Sequence, residues 1–152
     1  MAVTTYVAFR SSEALHTTTD GFITRMNNGA TRTEPETMDK IMRLFIQEAL
    51  QAFLLNPTEQ AGLSNTLKKI ISLTADTISK ASHVVIKSTV KKLNLSQNQK
   101  TAEYMDSIRI QLEDAGELAW HVAFPISDEM ASKGRHAMAQ IIDGQEDAAR
   151  ED

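Results

Sequence analysis

Cysteine is absent, so the chain forms no disulfide, carries no thiolate nucleophile and offers no cysteine ligand to zinc or an iron–sulfur cluster. That absence fits a reducing, cytoplasmic setting. Aromatic residues make up only 5% of the sequence, and a core must therefore be built from Leu, Ile, Val, Ala and Met. Three prolines and 6 glycines fall mostly between periodic segments, a distribution that favours helices over a many-turned β sandwich. No apolar run approaches the roughly 20 residues that span a bilayer, and Met1 to Ser12 lacks the apolar centre of a secretory signal. A soluble chain with no membrane partner is expected.

Charge of one sign is locally scarce as well. The net charge of −4 argues against a general polyanion binder, but Leu63 to Leu95 carries six Lys against Asp76 alone. Ser96 to Glu129 carries seven acids against Lys100 and Arg109. The 152 residues fit one domain, or one domain with a flexible arm.

Met1 to Thr33 is rich in Thr and ends near Asn27-Asn28-Gly29, the composition of a poorly ordered N-terminal arm covering residues 1–33. Within it, Leu15, Thr18, Phe22 and Met26 would share a helical face, and Thr5 to Phe9 could form a short strand. A helical bundle is expected over residues 34–144. Thr33 with Glu36 forms a capping box ahead of Met38, Ile41, Met42, Phe45, Ala49, Ala52 and Phe53 at helical spacing, and Asn56-Pro57 ends that helix and starts the next.

The second helix carries a seam of Leu67, Ile71, Thr74, Ile78, Ala81, Val85 and Ser88. His83 to Val90 is β-branched enough to be a strand, with residues 5–9 its available partner. Ser96 and Gln99 form a further capping box before Thr101, Met105, Ile108, Leu112, Ala115, Ala119 and Val122, which recur at steps of four and three. Ser127 caps a last helix containing Met130, Ala137, Met138, Ile141 and Ile142, and residues 145–152 form an acidic tail. The fold expected is all-α: an antiparallel bundle of four helices near 35–55, 57–93, 97–123 and 128–143. An α+β arrangement with a ribbon of residues 5–9 and 83–90 is the alternative.

No constellation of side chains points to catalysis, to a metal or to a cofactor. Glu13 and His16 have the Glu-x-x-His spacing of di-metal bundles, but the motif occurs once where such sites need it twice. Glu113, Glu117 and His121 would share one helical face, which a solvated acidic surface explains as well as chelation does. His83 and His136 are isolated, and no phosphate-cradling glycine loop or nucleophile elbow is present.

Two function classes follow. The first is a non-enzymatic, regulatory or adaptor-like protein acting through protein contacts and through self-association as a dimer. Its candidate interface is Ile110, Leu118 and Trp120, apolar residues beyond those one neighbouring helix needs. The second is nucleic-acid association through Lys69, Lys80, Lys87 and Lys91, which fall within about 40° on a helix at 100° per residue. That stripe suits an acidic partner equally, and it lacks the arginines and aromatics of a base-reading surface.

Overall fold

The computed structural model describes residues 5–127 together with residues 129, 132, 133 and 136. Its elements run β1 (Thr5–Arg10), α1 (Glu13–Asn27), α2 (Pro35–Leu50), a π-helical turn (Gln51–Leu55), α3 (Asn56–Gln60), α4 (Asn65–Val90), α5 (Leu95–Ser107), β2 (Arg109–Asp114) and β3 (Glu117–Ile126). The fold is mostly helical with a three-stranded antiparallel sheet in the order β1-β3-β2, so all-α is too strict a description. The last expected helix and the acidic tail lie outside the described residues, apart from the four positions named.

Side-chain oxygens start three of the helices. The Ser12 hydroxyl accepts from the Leu15 N–H, Ser64 does the same for Leu67, and Asn94 and Gln97 form a reciprocal capping box. The α5 box therefore sits two residues before the expected Ser96–Gln99 pair, because Asn94-Leu95-Ser96-Gln97 satisfies the same spacing. At α2 the expected Thr33 cap is not made. Glu34 occupies the N-cap position without capping, its carboxylate being held by Arg25 at 2.8 to 3.0 Å and by the Thr37 hydroxyl at 3.0 Å.

Pro57 does not end the helix where expected. The chain passes it through the π turn, in which the Asn56 N–H donates to Gln51 rather than to the residue four back. A proline ring clashes with the carbonyl four residues earlier in a regular helix, and the wider turn relieves that conflict. The break comes later, at Gly62 with φ of 64°, and α4 starts only at Asn65.

The run from Thr101 to Val122 is not one helix. Helix α5 stops at Ser107, and β2 and β3 form a hairpin closed by Ala115 and Gly116, both at positive φ (51° and 84°). Positive φ at both central residues is the geometry that matches the twist of a two-residue hairpin. Residues 83–90 are helical, so the alternative ribbon of residues 5–9 and 83–90 does not form: β1 pairs instead with β3, Phe9 opposite Val122 and Val7 opposite Phe124.

The expected arm supplies much of the core. Phe9, Leu15, Phe22, Ile23 and Met26 are buried with Met38, Ile41, Ala102, Met105 and Val122. Phe9 meets Phe45 and Phe53 edge-on, with ring centres 5.6 and 5.7 Å apart. A buried Asn98 fastens α5 to the start of α2, accepting from the Glu34 N–H at 3.2 Å and donating to the Asn94 carbonyl at 2.9 Å.

Candidate functional site

Helix α4 has two faces, and only one is used inside the molecule. At 100° per residue Ile71, Ala75, Ser79, Ser82, Ile86 and Val90 form the face turned inward, where Ala75 and Val90 are buried and α4 packs on α2 and the π turn. Small residues there let the helices approach closely. On the far side Ile70, Leu73, Ile78, Val84 and Val85 are between 43% and 72% exposed, with Thr74, Thr77 and Ala81 exposed between them. Most of the seam read from the sequence lies on this outward side, so its period was legible and its direction was not.

Lys69, Lys80, Lys87 and Lys91 are all exposed along one flank of that outward stripe, with Lys91 as the C-cap of α4. Lys80 pairs with Asp76 at 2.9 Å. Among the described residues the other three have no ion-pair partner. Leu73, on the same flank, brings the apolar stripe directly against the lysine row.

The three residues expected at an interface are divided by the pleat of the sheet. Leu118 and Trp120 share the face of β3 that carries Val122 and Phe124, while Ile110, opposite His121, lies on the other face. Leu118 is exposed near the hairpin tip; Ile110 and Trp120 are half-buried. Glu113 is likewise separated from Glu117 and His121 by strand parity, and His121 Nδ1 donates to the Ala119 carbonyl at 2.9 Å. Glu13 is exposed at the start of α1, and His16 is stacked on an indole, so their sequence spacing does not build a joint site. Among the described residues no three His, Asp or Glu side chains gather as a metal centre would require.

A polar cluster not foreseen from the sequence forms around Trp120. The His16 imidazole stacks on the indole, with ring centres 4.7 Å apart and planes within 17°. The Arg109 guanidinium carbon lies 5.3 Å from the indole centre, close enough for a cation–π contact. Arg109 also pairs with Asp20 at 3.2 Å and Asp106 at 3.0 Å. Burial, and secondarily the Arg109 charge, hold the His16 imidazole below its ordinary pKa against the opposing pull of Asp20.

Next to this cluster is a cavity of about 320 Å³ between α1, α2, α5 and the sheet. Leu15, Ile41, Phe45, Met105, Ile108 and Val122 supply apolar wall, and His16, Thr19 and Arg109 line it as well. His16 was visible in the sequence only as half of an incomplete metal motif, and Arg109 only as a cation in an acidic stretch. Among the described residues no helix is long and apolar enough to cross a membrane. Comparison with protein-family models, with curated proteins and with solved structures finds no match for this chain.

Proposed function

We propose that this chain is a non-enzymatic interaction protein whose outward α4 face receives an acidic amphipathic helix of another protein. The observation that carries the reading is the exposed stripe Ile70, Leu73, Thr77, Ile78, Val84 and Val85 with a lysine row along its edge. Each large aliphatic side chain contributes roughly 1.5 to 3 kcal/mol when fully buried, so a continuous stripe offers useful affinity to a helix laid along it. The lysines select the partner's charge and speed its approach.

Charge complementarity favours such a partner over a second copy. A twofold antiparallel contact uses the same patch twice, and on α4 it would set lysine row against lysine row. The apolar residues also argue against nucleic acid, because phosphate tracking leaves Leu73 and Ile78 with nothing apolar to cover them.

A labelled synthetic helix with a leucine stripe and glutamates along its edge tests the reading by fluorescence anisotropy. It is expected to bind, with a lysine-edged version of the same helix at least about tenfold weaker, a difference of roughly 1.4 kcal/mol. Leu73→Ser with Ile78→Ser should abolish the binding while the circular dichroism stays unchanged. Equal binding of the two helices, or displacement of the acidic helix by duplex DNA, would reject the proposal. Light scattering gives the competing outcome: a dimer mass, converted by the double substitution to 16.8 kDa, would assign the face to a second copy.

A further inference from the structure

We propose that the free edge of β2 pairs antiparallel with the same strand of a second copy of this chain, centred on Gln111, so that two three-stranded sheets join into one across a twofold axis. This surface is separate from the outward α4 face and does not depend on it.

The sheet order β1-β3-β2 leaves β2 at an edge. The Ala123 N–H donates to the Ile108 carbonyl at 2.8 Å, and these residues are opposite each other, one position before the Arg109–Val122 pair. Antiparallel ladders alternate, so Ile110, Leu112 and Asp114 also turn their backbone groups toward β3, while Arg109, Gln111 and Glu113 turn theirs outward. Among the described residues no other element supplies hydrogen-bond partners for those outward groups. Gln111, Leu112 and Glu113 are exposed, so the edge is open to an incoming strand.

Hydrogen bonding, apolar contact and charge agree on one register. A twofold pairing centred on Gln111 sets Arg109 opposite Glu113 of the second copy, and the outward backbone groups then meet one another as hydrogen-bonded pairs. Between them Ile110 faces Leu112 of the second copy, on the side of the sheet that carries His121, and Leu112, 38% exposed in the single chain, gains an apolar neighbour. A slip of one residue would oppose outward groups to groups already bonded to β3. A pairing centred on Glu113 would set carboxylate against carboxylate.

Asp20 and Asp106 already hold Arg109 at 3.2 and 3.0 Å, so the cross-strand charges select the register more than they add affinity. The other edge strand, β1, has no such symmetry, because its sole charge is Arg10, which Asp114 and Glu117 hold. An open edge accepts any strand that fits, and β2 is its own complement in all three respects, which favours a second copy as the occupant.

Sedimentation equilibrium of the full chain between about 10 µM and 1 mM, the range in which small interfaces associate, is expected to show a mass rising from 16.8 kDa toward twice that value. Gln111→Pro removes an outward donor and spares the β3 ladder, since proline is tolerated on an edge strand where its nitrogen faces solvent. It should weaken the dimer at least about tenfold with an unchanged circular dichroism spectrum. Leu73→Ser with Ile78→Ser on α4 should leave the dimer as it is. Single cysteines read the register, the chain having none of its own. Gln111→Cys brings two Cα atoms to about 5.5 Å across the axis, within disulfide reach, and should link under mild oxidation. Glu113→Cys places them more than about 13 Å apart and should not. A mass of 16.8 kDa at every concentration, a dimer indifferent to Gln111→Pro, a dimer lost with the α4 substitutions, or equal linkage at both cysteine positions would each overturn the proposal. The cysteine comparison decides it even where the proline variant fails to fold.

Discussion

Ala115 is the one non-glycine residue at positive φ among the described residues, and it sits where the hairpin turn demands that conformation. The left-handed region costs an L-residue about 1 to 2 kcal/mol, and asparagine tolerates it better because its short amide bonds to nearby backbone. Ala115→Asn should therefore stabilise the fold by about 0.5 to 1 kcal/mol, read as a higher urea midpoint with an unchanged slope. Asn98 offers the opposite case. Asn98→Ala leaves the Glu34 N–H without its partner, while the Asn94 carbonyl keeps the backbone N–H of residue 98, and should cost about 1 to 3 kcal/mol by the same measurement. Two groups contribute to the acid response. Hydrogen bonding from Arg25 lowers the Glu34 carboxyl against its burial, and burial lowers the His16 imidazole. When the folded pKa lies below the unfolded one, the unfolded chain binds more protons in between, so both contributions are present at high pH and lost on acidification. Stability should fall in two steps, from about pH 6.5 for His16 and from about pH 4.3 for Glu34. His16→Gln should remove the upper step in melting curves and Glu34→Gln the lower; an unaltered profile in both would reject the assignment.

At the scale of elements, local patterns with strong periodicity were legible and their continuation was not. The apolar faces of α1 and α2 appear in the sequence much as they pack, with Leu15, Phe22, Met26, Met38 and Ile41 buried. The error lay beyond Ser107. Residues 108, 112, 115, 119 and 122 satisfy a four-and-three helical spacing, but Ile110 and Leu112 also alternate with Gln111 and Glu113, and Gly116 follows after Asp114-Ala115. A glycine inside an apparent heptad run was the signal for a turn, and strand period two accounts for both flanks. The same ambiguity hid the Trp120 cluster, because helical spacing aligned Glu113, Glu117 and His121 where the sheet separates them. Helix α4 shows what a period alone leaves open: with two apolar stripes, the sequence does not tell which one faces in. Its two faces should respond oppositely to substitution. Ala75→Leu overfills the contact with α2 and the π turn and should cost about 1 to 3 kcal/mol, whereas Ile78→Ser on the exposed side should stay within about 0.5 kcal/mol. Comparable losses at both positions in urea unfolding would mean that α4 packs through the other stripe.

For the molecule as a whole, the decisive contact joins the two ends of the described chain. Strand β1 gains its partner from β3, more than a hundred residues away, and no local pattern in Thr5 to Phe9 announces a pairing of that range. Composition made residues 1–33 read as a poorly ordered arm, yet Phe9 is buried against Phe45 and Phe53, and Ser11 donates to the Trp120 carbonyl at 2.9 Å. Ser12 then donates through both its N–H and its hydroxyl to Glu48 on α2. Removing residues 1–11 would strip one edge from the sheet, open the aromatic core and leave β3 without its neighbour along six residue pairs. Loss of a buried phenylalanine alone costs about 3 to 5 kcal/mol, a large share of the roughly 5 to 15 kcal/mol that keeps a domain folded. The truncated chain should lose its cooperative thermal transition, and Phe9→Ala in the full chain should lower the urea midpoint while preserving a single transition. A truncation that melts at the temperature of the full chain would return the segment to the status of an arm.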